Sequence, residues 1–145
     1  MNKNNRPIVY YAHPFLSETQ GIGKLFLWQL QQNLEGWTWL NPFESEYEFQ
    51  YLRNPKNIEF ARKLVEQDLA LIDSADLVVV FLPNMIGDEP CYGIGSSQEI
   101  FYTRYCKGKP VYAVTPFDHA WFKGLGVIIE PDVFSLINRL KRDYP

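Results

Sequence analysis

Leu77-Val78-Val79-Val80-Phe81-Leu82 is an unbroken apolar run rich in β-branched residues. It has the length of one strand, and the absence of any polar alternation marks a strand covered on both faces, as in parallel sheets flanked by helices. Before it, residues 57–73 carry the best helical pattern, with Ala61, Leu64, Val65 and Ile72 on one stripe and Asp68 standing among them. After it come a turn-rich loop over 83–95 and a helix over about 96–106. The alternation continues outward. Ile8-Val9-Tyr10-Tyr11-Ala12 reads as a buried strand that stops at Pro14, and residues 19–34 read as a helix ended by Gly36. Trp37-Thr38-Trp39-Leu40 reads as a strand closed by Asn41-Pro42. Residues 111–115 and 126–129 read as two more strands, with 132–142 a final helix, and residues 44–55 as a long acidic loop. Strand and helix in alternation predict one α/β domain over residues 1–145, a doubly wound five-stranded parallel sheet of flavodoxin-like order.

Sheets of this kind bind ligands beyond the carboxyl ends of their strands, where the strand order reverses. That rule gathers Ala12-His13-Pro14-Phe15, Asn41-Pro42-Phe43 and the 83–97 loop around one pocket, and leaves Asp68 outside it. The composition narrows the ligand. A net charge of −3 offers no basic footprint for a nucleic-acid polymer or an anionic membrane. Ten Phe, nine Tyr and four Trp supply faces on which a flat small molecule could stack. No apolar run approaches a membrane span, and residues 1–6 carry no signal-peptide core, so the expected compartment is the cytoplasm. Cys91 and Cys106 fit neither a metal spacing nor a disulfide framework and read as reduced thiols.

Gly93-Ile94-Gly95-Ser96-Ser97-Gln98-Glu99 follows the strongest strand and opens a helix, so its glycines permit a tight turn and a close ligand. It lacks the third glycine of a dinucleotide fingerprint and follows the wrong strand for one. Glu99 has two readings. Ser96-x-x-Glu99 is a capping box, in which the carboxylate serves its own helix start. Alternatively, the carboxylate attacks an anomeric carbon and forms a covalent glycosyl-enzyme. One group cannot do both.

With those residues in place, the chain resembles the nucleoside 2-deoxyribosyltransferase family. Four stretches match in order: Tyr10 to Phe15, Asp68 to Asp76, Gly95 to Glu99, and Lys107-Gly108-Lys109-Pro110-Val111. The resemblance implies cleavage of an N-glycosidic bond in a nucleoside or nucleotide, without metal or organic cofactor. Glu99 would be the nucleophile, Tyr10 would orient it, and Asp68 would place the base or protonate it. Ala12, His13, Phe15, Phe43, Asp88, Gly93, Gly95, Ser96 and Ser97 would contact the substrate, and the chain would form a homo-oligomer. There are departures. Gly93 stands where the family commonly has an acidic residue, a gap that Asp88 or Glu89 fills only if the loop folds back. His13 replaces a glycine, and Trp121 and Phe122 occupy the segment from which a neighbouring subunit of the family lends an Asn. Two other readings stand beside the transferase. One is a 5′-monophosphate hydrolase with Ser96, Ser97 and His13 on the phosphate, and the other is a non-catalytic nucleotide-sensing module.

Overall fold

The computed structural model describes residues 1–14, 21–44, 56–83, 85–86, 89–90, 93–116 and 118–145, with backbone alone at 85, 86, 89 and 90. In chain order the elements are β1 (Ile8–Ala12), α1 (Ile22–Asn33), β2 (Thr38–Leu40), a 3-10 turn (Pro42–Glu44), α2 (Ile58–Ser74), β3 (Leu77–Phe81), β4 (Met85–Ile86), β5 (Glu89–Pro90), α3 (Ile94–Phe101), a π-helical turn (Tyr102–Cys106), β6 (Val111–Val114), α4 (Ala120–Leu125), β7 (Ile128–Glu130) and α5 (Val133–Asp143). Five strands form one all-parallel sheet in the order β2-β1-β3-β6-β7, the flavodoxin order. The order reverses between β1 and β3, so the crevice lies above Ala12 and Phe81. The loop expected over 83–95 contains the short antiparallel pair β4–β5.

Period-two alternation divides β1 between two cores. Val9 and Tyr11 join Val79, Phe81, Tyr112 and Val114 beneath α1 and α5, while Tyr10 and Ala12 join Val78, Val80, Val111 and Ala113 beneath α2, α3 and α4. Every residue of β3 is buried, as its uninterrupted apolar run predicts. Two of the stretches that carry the family resemblance hold the opposite edge of the sheet together. Asp76 Oδ2 accepts from the Ile8 amide at 2.8 Å and ties the start of β3 to the start of β1. Lys109 Nζ donates to the carbonyls of Ile72, Asp73 and Ala75 at 3.0, 2.8 and 2.8 Å, satisfying the open C-terminus of α2. Both devices sit below the sheet, away from the crevice, and set the height at which α2 presents Asp68.

Two boundaries and one helix differ from the sequence reading. α3 begins at Ile94 because Gly93, at φ 69° and ψ 149°, makes the turn into the helix, a conformation open almost only to glycine. Gly126, at φ 74°, ends α4, so the last strand begins at Ile128 and not at the glycine. α4 itself is six residues long, too short for its periodicity to stand out from its surroundings. None of the helices among the described residues is long and apolar enough to cross a membrane.

Candidate active site

Glu99 is the sixth residue of α3, and side chains on a helix lean toward its N-terminus. Its carboxyl therefore lies over the Gly95 turn, with Oε1 3.7 Å from the point where a Cβ on Gly95 would stand. It makes no cap: no side chain bonds the first turn of α3, and Oε2 is shut off from solvent without a hydrogen-bond partner among the described residues. The capping-box reading of Ser96-x-x-Glu99 is therefore wrong in this fold. Ser96 is the third helical residue rather than the cap, and its neighbour Ser97 turns its hydroxyl back to the Gly93 carbonyl at 2.8 Å. Beyond Glu99 the helix widens into the π turn, where the Thr103 hydroxyl donates to the Glu99 carbonyl at 2.6 Å. Such turns interrupt helices frequently at functional sites.

The carboxyl faces a cavity of about 260 Å³ lined by His13, Pro14, Pro42, Phe43, Leu64, Asp68, Gly93, Ile94, Gly95, Ser96 and Glu99. The volume is just below the usual range for small-molecule sites, roughly 300 Å³ upward. Asp68, expected to sit away from the pocket, belongs to it. It is buried on α2, six residues before the helix ends, which lifts it about two turns toward the crevice. Leu64, one turn earlier on the same face, lines the cavity with it and was not singled out from sequence; the i, i+4 rule applied to Asp68 finds it.

Burial of Glu99 pushes its pKa up to about 8, with the nearby negative charge of Asp68 adding to the rise and the Tyr10 hydroxyl opposing it. Tyr10 reaches the carboxyl from below, fully buried on the central part of β1. His13 is almost as deeply buried. Its ring stacks on Tyr11 at 4.4 Å between centroids and 23° between planes, and meets Phe43 at 4.5 Å and 44°. Phe43 is held by the 3-10 turn, whose start is fixed by the Asn41 side chain accepting from the Phe43 amide at 3.1 Å. The site thus combines a buried carboxyl near neutrality, a second carboxyl, a phenol, an imidazole and aromatic walls. Among its described lining residues there is no lysine or arginine.

Other sequence expectations fall elsewhere. Ala12 is core beneath the site and does not line the cavity. Ser97 lines a separate cavity of about 390 Å³ on the far flank of α3, together with Gln98, Phe101, His119, Trp121 and Phe122. Trp121 is exposed there, whereas Phe122 is core. Phe15, Asp88 and Cys91 lie outside the described residues. Among the described residues, no group of His, Cys, Asp and Glu is placed to hold a metal ion.

Neither a protein-family model nor any curated protein sequence matches the chain. Solved structures do. A conserved protein from Enterococcus faecalis superposes with a TM-score of 0.66 at 19% identity, covering 95% of this chain and 99% of its own. A 2-deoxyribosyltransferase from Bacillus psychrosaccharolyticus gives 0.59 at 20%, covering 90% of each chain. A 2-desoxiribosyltransferase from Leishmania mexicana gives 0.54 at 16%, covering 88% of this chain and 76% of its own. At these identities the likeness is one of fold.

Proposed function

We propose that the chain cleaves the N-glycosidic bond of a (deoxy)nucleoside through a covalent glycosyl–Glu99 intermediate and passes the sugar to a second base. The observation that carries this reading is the Glu99 carboxyl, one oxygen of which is shut off from solvent without a hydrogen-bond partner among the described residues, facing a cavity it shares with Asp68. In the first step a Glu99 oxygen bonds to C1′ while the C1′–N bond breaks and its electron pair leaves with the base. In the second, a nitrogen of the incoming base bonds to C1′ and the electron pair of the ester C–O bond returns to Glu99. Both steps pass through an oxocarbenium-like sugar. A carboxyl driven toward neutrality in the ligand-free site gains most when positive charge develops against it, so the stabilisation is concentrated in the transition state. The Tyr10 hydroxyl supports the ionised form, and Asp68 faces the same space to place the base.

The likeness of fold to two 2-deoxyribosyltransferases supports the reading. The lining favours nucleosides over monophosphates, because two carboxyls and no described lysine or arginine make a poor seat for a phosphate dianion. A non-catalytic sensor would gain nothing from a carboxyl held near neutrality beside a second one.

The test is base exchange. The purified chain is incubated with a deoxynucleoside, with and without an acceptor base, and free base and exchanged nucleoside are separated by chromatography. Acid-quenched protein is weighed intact for an adduct of one sugar. Glu99→Ala should lower turnover by roughly 10³-fold or more and remove the adduct. Undiminished turnover in that variant would refute the assignment. Sedimentation of the same preparation tests for the expected homo-oligomer.

A further inference from the structure

Gly95 has none of the structural reasons for which a fold keeps a glycine. It is the second residue of α3, and its φ is not in the positive range that the neighbouring Gly93 adopts. It is exposed, so it is not a tight packing point between elements. Outside its own stretch of helix backbone, the one atom among the described residues within 4 Å of a Cβ placed there is Glu99 Oε1, at 3.7 Å. That distance is ordinary van der Waals contact and not a clash, so alanine fits. A helix also favours alanine over glycine, through propensity and by narrowing the unfolded ensemble. A bare Cα here works against the stability of α3.

What the missing side chain leaves open is the carboxyl. Gly95 and Glu99 line the same cavity, four residues apart on one face of α3. Glu99 Oε2 is shut off from solvent, while Oε1 stands over the Gly95 Cβ position. A carbon under attack must come within about 3–3.5 Å of the attacking oxygen. A methyl group in contact with Oε1 takes up part of the shell from which that approach is made. We propose that Gly95 is kept without a side chain so that Glu99 Oε1 stays open to the anomeric carbon, a requirement of the substrate and not of the fold. This rests on Glu99 as the nucleophile. The bond that forms is Oε1–C1′, and the C1′–N electron pair leaves with the base. Gly95 takes part in neither bond and acts only by the room it leaves.

The experiment compares alanine at two exposed helical glycines without positive φ. Gly124, in α4, has no atom of the described residues within 4 Å of its Cβ position and does not line the Glu99 cavity. Gly95→Ala and Gly124→Ala should both melt at or above the native Tm. Formation of the glycosyl adduct from a deoxynucleoside is read by intact mass in a single turnover. Gly95→Ala should slow it by roughly 10²-fold, and Gly124→Ala should leave it within about threefold of native. Loss of rate without loss of stability is what a merely structural glycine cannot give. Adduct formation in Gly95→Ala within about threefold of native would overturn the inference. So would a Tm several degrees lower, which would make Gly95 a requirement of the fold, or an equal slowing in Gly124→Ala. If Glu99→Ala retains full turnover, or the native chain forms no adduct, the nucleophile assignment falls and takes this inference with it. An inactive Glu99→Ala beside a fully active Gly95→Ala sinks this inference alone.

Discussion

Beneath α1 and α5 the buried tyrosine hydroxyls are matched. Tyr11 donates to the Gly23 carbonyl at 2.7 Å, and Tyr112 donates to Asp143 at 2.9 Å, which in turn accepts from Arg139 Nε at 2.8 Å. Beneath α2 and α3, Asp68, Ser96 and Glu99 line a cavity instead, and Tyr10 reaches Glu99 from below it. Tyr10, Asp68, Ser96 and Glu99 are drawn into a core otherwise made of Ile72, Val78, Val80 and Ile100, and one carboxyl oxygen has no hydrogen-bond partner among the described residues. Unpaired buried polarity is costly and rare in stable proteins. One face of the sheet is therefore closed and matched while the other carries the cavity, and the change from one to the other occurs between two adjacent residues, Tyr10 and Tyr11.

The largest test of that contrast is Glu99→Gln, read as stability. The folded state binds the Glu99 proton more tightly than the unfolded chain does, since its pKa stands at about 8 against an ordinary 4.5. With that sign, native stability is unpenalised below the ordinary value and falls as pH rises through the interval up to about 8. The amide variant has no proton to lose. Urea unfolding should show the two proteins nearly equal at low pH and the variant more stable by a few kcal/mol in mild alkali, even as its turnover is lost. A difference independent of pH would mean that Glu99 is not buried in solution as it is here.

Gly93→Ala comes next. The residue sits where the turn beneath the cavity needs a conformation that a Cβ resists, and its replacement should cost roughly 1–3 kcal/mol. Because α3 starts from this point, the strain should also lower turnover. A second glycine at positive φ and remote from the site, Gly108 at φ 65°, should also lose stability on replacement by Ala, with turnover unaffected. The paired comparison separates a rim residue from a turn residue by activity alone.

The tyrosines give the sharpest contrast at smaller amplitude. Tyr11→Phe leaves the Gly23 carbonyl without its donor in a dry core and should cost about 1–2 kcal/mol, with turnover within twofold of native. Tyr10→Phe removes the one influence that lowers the Glu99 pKa, so the pH–rate profile should move to higher pH and turnover at neutrality should drop. If the two substitutions had interchangeable effects, the division of labour between the faces would be false.

Much of this was legible beforehand, and the exceptions have physical causes. The sheet could be read because parallel strands buried on both faces must be continuous apolar runs, and Leu77 to Leu82 is one. Asp68 declared itself as a carboxylate on an apolar stripe, although sequence alone could not say how far up the sheet α2 would carry it; that height depends on Lys109 closing the helix end, a contact 37 residues distant in the chain for Ile72. The start of α3 was misread because two local signals competed. Ser96-x-x-Glu99 satisfies the capping-box pattern, but the cap is Gly93, three residues earlier, and Glu99 faces the cavity. The clamp around His13 was illegible because it joins residues from β1 and the 3-10 turn that only the parallel pairing of β1 with β2 brings together.

The smallest predicted effect concerns Ser96 and Ser97, which sequence treated as one pair. A helix rotates adjacent side chains by about 100°, and here that rotation sends Ser96 into the Glu99 cavity and Ser97 to the opposite flank. The Ser97 hydroxyl is exposed and bonds a carbonyl of its own helix start, so Ser97→Ala should cost about 0.5 kcal/mol and leave KM and kcat unchanged. Ser96 is buried and lines the cavity with Glu99, so Ser96→Ala should raise KM several-fold with little change in stability. Steady-state kinetics on the two alanine variants measure both. A KM effect at Ser97 and none at Ser96 would place the ligand on the wrong side of α3 for Glu99 to reach, and the cavity described here would lose its claim to be the active site.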